Sequence, residues 1–197
     1  VYTDGSMVDG APRHASLCGR LGWGLALVDS SGALLASASG SAPSWVRSVP
    51  GAEAWALLQA ALAFGDAPAY RVDCLSVVQL YAKGFKKASA ANSLFADTWA
   101  QIEAWDSTES VDLAWMPSHT AFGDIGACTL INDMLLTAID RDANAIADDL
   151  AKSAALQHRV PEACRNAIDA EVERVTAHAG WIGVVTYAAS NTHTYDN

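Results

Sequence analysis

Long apolar runs are missing from this chain. No stretch reaches the ~18 residues that a membrane-crossing helix requires, so no span is expected. Nor does a charged-then-apolar leader open the sequence, and secretion is not expected. Cysteine is sparse: Cys18, Cys74, Cys128 and Cys164 lie far apart with no C-x-x-C pair. That spacing argues against a zinc site and against a disulfide scaffold, and points to reduced thiols in an intracellular protein. Basic residues are also scarce, with 12 Lys and Arg against 22 Asp and Glu and a formal charge of −10. Such a balance disfavours gripping nucleic acid by bulk electrostatics, so any such grip must be local and strongly salt-sensitive. Internal repeats and low-complexity tracts are absent too.

What is present is ample core material. Of 197 residues, 51% are apolar, enough for one domain with an appendage. The opening Val1-Tyr2-Thr3 reads as the inside of a short strand, as if cut from something longer, and Asp4-Gly5-Ser6 as a turn. The three glycines within residues 19–24 allow a tight connection or a close backbone approach. Residues 21–28 and 33–39 read as strands joined by the turn Asp29-Ser30-Ser31-Gly32. A Ser- and Pro-rich loop follows over 40–49. A helix is expected from Pro50-Gly51 to about Phe64, apolar nearly all round and therefore buried between layers. Gly65-Asp66-Ala67-Pro68 ends it.

The pattern then predicts a strand at 70–72, helices at 75–82 and 93–105, and a strand at 111–115. Beyond a loop at 116–120, helices are expected at 129–139, 143–157 and 161–179, with a frayed tail from 190. Three strands, helix, strand, helices, strand, helix describe an α/β protein: a mixed sheet flanked by helices. In such sheets, sites gather at strand ends and helix termini.

Four carboxylates fall at such junctions: Asp4, Glu53, Asp73 and Asp148. Carboxylate oxygens suit hard divalent cations, and four around one hollow hold a pair of them. Each also has a plainer explanation. Asp4 fits an Asx turn, Glu53 a first-turn acid complementing the helix dipole, and Asp73 an N-cap. Asp148 is harder to dismiss, because it shares a face with Ala151 and Ala155, where a helix approaches a sheet closely and a charge needs compensation. Asp149 is the expected partner of Lys152. His119 stands in a loop beyond a strand. Lys83-Gly84-Phe85-Lys86-Lys87 is the only basic cluster, and the natural seat for a phosphate backbone.

Taken together, these motifs resemble the type 1 ribonuclease H family. The match runs through Thr3-Asp4-Gly5-Ser6, Gly22-Trp23-Gly24, Ala52-Glu53 with Trp55-Ala56-Leu57, Val72-Asp73-Cys74, Trp115-Met116-Pro117-Ser118-His119-Thr120, and Asn144 with Ala147-Asp148 and Leu150-Ala151. In style it is closest to the ribonuclease H domains of retroelement polyproteins. It covers about residues 1–157, and 158–197 would be a C-terminal helical extension and tail. The chain departs from the family in Cys74, where Ser is more usual, and in the long His119–Asp148 stretch, which is expected to carry an inserted helix.

The resemblance implies a five-stranded mixed sheet and hydrolysis of the RNA strand of RNA–DNA hybrids. It implies two Mg²⁺ ions, with Mn²⁺ as a substitute, held by Asp4, Glu53, Asp73 and Asp148, with His119 delivering water or releasing product. Gly5 and Ser6 would contact the RNA strand. Lys83, Lys86 and Lys87 would hold the DNA strand's phosphates. A reverse transcriptase domain in the parent polyprotein is the implied partner. Two rivals stand beside this reading: an inactive module that only packs within a polyprotein, and a nuclease of the same fold acting on another nucleic acid.

Overall fold

The structure, a computed structural model, describes residues 1–10, 15–64, 69–93, 95–105, 112–131 and 133–192. The predicted stop at 65–68 and the end of the tail lie outside these. The chain divides into two compact units, Val1–Arg159 and Val160–Asn197.

The first unit is built on a mixed five-stranded sheet in the order β3-β2-β1-β4-β5. Its strands are β1 (Tyr2–Val8), β2 (Arg20–Val28), β3 (Leu34–Ser41), β4 (Tyr70–Val72) and β5 (Leu113–Trp115). β1, β2 and β3 are antiparallel, while β4 runs parallel to both β1 and β5. The helices are α1 (Ala15–Cys18), α2 (Val49–Phe64), α3 (Leu75–Ala82), α4 (Phe85–Ala88), α5 (Ala96–Trp105) and α6 (Ala138–Gln157).

The expected hairpin forms around Asp29, whose carboxylate accepts from the Ser31 and Ala33 backbone N–H groups at 2.8 and 3.0 Å. The opening strand is longer than its sequence suggests. Asp4, Gly5 and Ser6 are not a turn: they continue β1, paired with Gly24, Trp23 and Gly22 of β2. Turn propensity yields here to the ladder, because Gly5 supplies something the packing needs. A Cβ at Gly5 would come 2.5 Å from the Glu53 backbone nitrogen, so this glycine lets α2 lie against β1.

α2 is buried on most sides, as its unbroken apolar character predicts, with Ala52, Ala56, Leu58, Ala60 and Ala61 inaccessible. One core joins it to Tyr70, Val72, Trp99 and Ile102. A second core holds Tyr2, Met116, Leu130, Leu136, Ala143 and Ala147 around α6. Two glycines of β2 seat α6. Cβ atoms at Gly24 and Gly22 would run into the α6 backbone at Ala147, Ala151 and Ala155. The close approach allowed by these glycines is therefore between helix and sheet.

The inserted segment is not the helix expected at 129–139. It contains one 3₁₀ turn, Phe122–Asp124, and then a narrow hairpin with an isolated bridge between Thr129 and Leu135. Backbone bonds from Leu130 N–H to Met134 and from Leu136 N–H to Cys128 close it at 2.7 and 2.8 Å. The helical reading put Leu130, Met134 and Leu135 on one face. Instead Leu130 and Leu136 are buried while Met134 and Leu135 are exposed. Asp133 takes a φ of 60°, which a helix does not accommodate. α6 also starts earlier than 143. Thr137 caps it, accepting from the Asp140 N–H at 3.0 Å while the Asp140 carboxylate accepts from the Thr137 N–H, also at 3.0 Å.

The second unit is one 30-residue helix, α7 (Glu162–Asn191), longer than the predicted 161–179. A Glu171–Arg174 ion pair one turn apart supports it. Its C-terminal half leaves Trp181, Ile182, Val184, Val185 and Tyr187 exposed. Among the described residues no helix is long and apolar enough to cross a membrane.

Candidate metal centre

The register of the sheet brings the first two carboxylates together. In the parallel pair of β1 and β4, Thr3 stands beside Val72, so Asp4 in β1 comes next to Asp73, the residue just past the end of β4. α2, packed against β1, adds Glu53. Oxygen atoms of Asp4, Glu53 and Asp73 lie within 4.8 Å of one another.

The plainer explanations for these residues do not hold. Asp4 is inside a strand rather than in an Asx turn. Glu53 lies beyond the first turn of α2 and is 2% exposed. Cys74, not Asp73, is the N-cap of α3.

Burial sets the electrostatics. Asp4 is 5% exposed, and desolvation, with Asp73 beside it, pushes its carboxyl up to about 7. Burial, with Asp4 and Asp73 close by, raises Glu53 well above the carboxylate range. Asp73 is raised too, by burial, against an opposing hydrogen bond from Asn144. Glu53 Oε2 is buried without a hydrogen-bond partner. Three crowded carboxylates, an orphaned oxygen and an oxygen-only donor set fit a hard divalent cation, whose charge offsets what burial costs.

Asp148 is not one of this tight trio, but it is close enough to help raise the carboxyls of Asp4 and Asp73. It lines the same cleft, of about 370 Å³, together with Asp4, Gly5, Ser6, Glu53, Asp73, His119 and Lys152. Its Oδ2, however, accepts from Lys152 Nζ at 2.5 Å. The expected pairing of Lys152 with Asp149 is thus replaced by the i,i+4 pair, the better helical spacing for an acid that precedes a lysine. His119 is on the cleft wall with a φ of 52°. Lys83, Lys86 and Lys87 are exposed around α4 and are not among the cleft residues.

Three side chains that the sequence reading named without a role at the site support it. Trp115 donates its indole N–H to the Asp73 carbonyl at 2.8 Å, tying the end of β4 to β5. Asn144, 6% exposed on α6, is the hydrogen-bond partner of Asp73. Lys152 faces the site from the next turns of the same helix. The spacing of Asn144, Asp148 and Lys152, each four residues from the next, was the available signal, since it puts all three on one side of a helix.

No family model and no curated protein matches this sequence. Solved structures do match it. The RNase H domain of prototype foamy virus gives a TM-score of 0.54 at 18% identity, over 79% of this chain and 92% of that one. The protease–reverse transcriptase of the same virus gives 0.56 at 18% identity over 81% of this chain, which spans only 21% of that longer protein. LC9-RNase H1, a type 1 RNase H with the type 2 active-site motif, gives 0.51 at 14% identity, over 78% of this chain and 70% of that one. This chain has the ribonuclease H fold. Within that fold it carries an acidic cluster, Asp4, Glu53 and Asp73, whose oxygen donors suit a divalent metal.

Proposed function

We propose that this chain is an endoribonuclease that hydrolyses the RNA strand of RNA–DNA hybrids by two-metal-ion catalysis, with residues 1–157 as the catalytic domain and 158–197 as a helical extension. The observation that carries the reading is the meeting of Asp4, Glu53 and Asp73 within 4.8 Å, with a buried Glu53 oxygen left unpartnered. Nothing in an ordinary core needs two buried acids and a half-buried third drawn together, and a phosphodiester-cutting metal site does.

Asp4, Glu53, Asp73 and Asp148 would hold the two cations. Mg²⁺ is the expected ion and Mn²⁺ its substitute, since every donor is oxygen. When bound, the ions supply Lewis-acid activation of a water and charge stabilisation at the leaving 3′-oxygen. The protein's own groups orient and shield. Asn144 and Trp115 fix Asp73 from two sides. Asp4 and Glu53 form the dry floor of the cleft. His119, on the wall, passes water in or product out. Gly5 and Ser6, at the cleft edge, contact the RNA strand, whose 2′-hydroxyls distinguish it from DNA. Lys83, Lys86 and Lys87 hold phosphates of the DNA strand, giving an acidic protein a local grip. A reverse transcriptase domain on the same parent chain is the proposed partner, an arrangement suggested by the protease–reverse transcriptase of prototype foamy virus. An intracellular setting fits its substrate.

The rival reading, an inactive module, draws on the engagement of Asp148 by Lys152. One experiment separates the readings. A labelled RNA–DNA hybrid is incubated with the protein and magnesium, beside Asp4→Asn, double-stranded RNA and double-stranded DNA. Cleavage confined to the hybrid and lost in Asp4→Asn supports the proposal. No cleavage, with magnesium binding equal in wild type and Asp73→Asn, favours the inactive module. Cleavage of another substrate points to the related nuclease.

A further inference from the structure

The fourth carboxylate is not in the state of the other three. Asp4, Glu53 and Asp73 are crowded and short of positive charge, while Asp148 already has a cation, the ammonium of Lys152 at 2.5 Å. That ammonium is on the cleft wall and is held by the field of Asp148, Asp4 and Asp149 together. Its own side chain is 48% exposed, and Asp148 21%. Lys152 can therefore swing into water without disturbing the core, whereas Asp4 and Glu53 have nowhere to go.

We propose that Lys152 is a tethered counter-cation that competes with the second divalent ion for Asp148, so that the cleft loads its two ions unequally. The inference rests on the nuclease reading above and names a positioning residue within that site. The first ion enters among three carboxylates that, among the described residues, form no ion pair. The second must displace an ammonium that never leaves the neighbourhood, because the lysine is one helical turn away on α6. The tether also gives the cleft a charge balance when ions are few, holding Asp148 in one orientation and offsetting part of the repulsion it exerts on Asp4 and Asp73.

The test is a manganese chloride titration by calorimetry on the full chain, comparing wild type with Lys152→Met, Lys152→Arg and Asp73→Asn. Methionine keeps the aliphatic stem and removes the charge. Lys152→Met should bind the second ion about two- to fivefold more tightly, the range an exposed ion pair supports, with the first event unchanged. Lys152→Arg should retain the wild-type isotherm, because it retains the charge. Identical isotherms in wild type and Lys152→Met, or a weaker second event in Lys152→Met, overturn the proposal while leaving the nuclease reading intact. So does a Lys152→Arg protein that behaves like Lys152→Met. Absence of ion binding in wild type, matching Asp73→Asn, overturns the nuclease reading and this proposal with it.

Discussion

Asp4 and Asp148 line one cleft, yet they live under opposite rules. Asp4 is on the central strand, 5% exposed, with its carboxyl pushed up to about 7 by burial and by the acid beside it. Asp148 is on a helix, its side chain 21% exposed and satisfied by an i,i+4 lysine. The buried member is costly to the fold until a cation arrives, while the exposed member is comfortable without one. A metal site can thus combine a rigid floor that demands an ion with a compliant rim that merely accepts one.

The comparison is broken most severely by neutralising the floor. Asp4→Asn should reduce hybrid cleavage by at least about a hundredfold, while Asp148→Asn, at the rim, should reduce it less. The same Asp4→Asn should stabilise the cation-free protein by about 1–3 kcal/mol in urea unfolding, because it removes a buried charge from a crowd. A destabilised Asp4→Asn would mean that the floor is not strained.

Next comes the mounting of the rim. Gly24→Ala should push α6 off β2 and destabilise the fold by about 1–3 kcal/mol, the usual range for overpacking. It should also disturb Asn144 and Asp148 while leaving Asp4 and Glu53 in place, so cation binding should weaken less than cleavage.

Dependence on pH sharpens the contrast further. The raised carboxyls of Asp4, Glu53 and Asp73 mean that the cation-free fold binds protons which the unfolded chain has already released above about pH 4. Stability of the cation-free protein should therefore fall as pH rises from about 4 to 7, at up to about 1.4 kcal/mol per pH unit for each proton that the fold retains. Saturating magnesium should flatten that slope. Thermal melts across this range with and without magnesium check it, and a cation-free protein that grows more stable toward pH 7 refutes the assignment.

The smallest effect is expected away from the site. Replacing Lys83, Lys86 and Lys87 together by alanine should weaken hybrid binding uniformly across sequences. It should lower the slope of log affinity against log salt by about 1 for each lysine that contacts a phosphate, with folding unchanged.

Much of this was legible in the sequence, and the exceptions have physical causes. Strand alternation, the Asp29 turn and the apolar run of α2 each satisfied a local rule, so the elements from residue 20 to 64 were readable. The carboxylates stood out because they fall at expected strand ends and helix termini, and because the order of their motifs resembled a family. What failed was what tertiary context decides. Asp4-Gly5-Ser6 looks like a turn unless one knows that α2 needs the bare backbone of Gly5. Residues 129–139 carry helix-compatible apolar spacing, but only Leu130 and Leu136 find a core. Lys152 was expected to pair with Asp149, but the i,i+4 spacing gives it to Asp148 instead.

One contact at the far end of α6 bears on how the rim moves. The Tyr2 hydroxyl donates to Asp140 at 2.7 Å, and Asp140 also closes the cap with Thr137. The first turn of the helix is thereby bolted to the strand that carries Asp4, just as its middle is bedded on bare glycine backbone. A rod pinned at the tip and along its length does not slide. Whatever travel Asp148 needs must come from turning its own short side chain, a nanosecond event rather than a millisecond one.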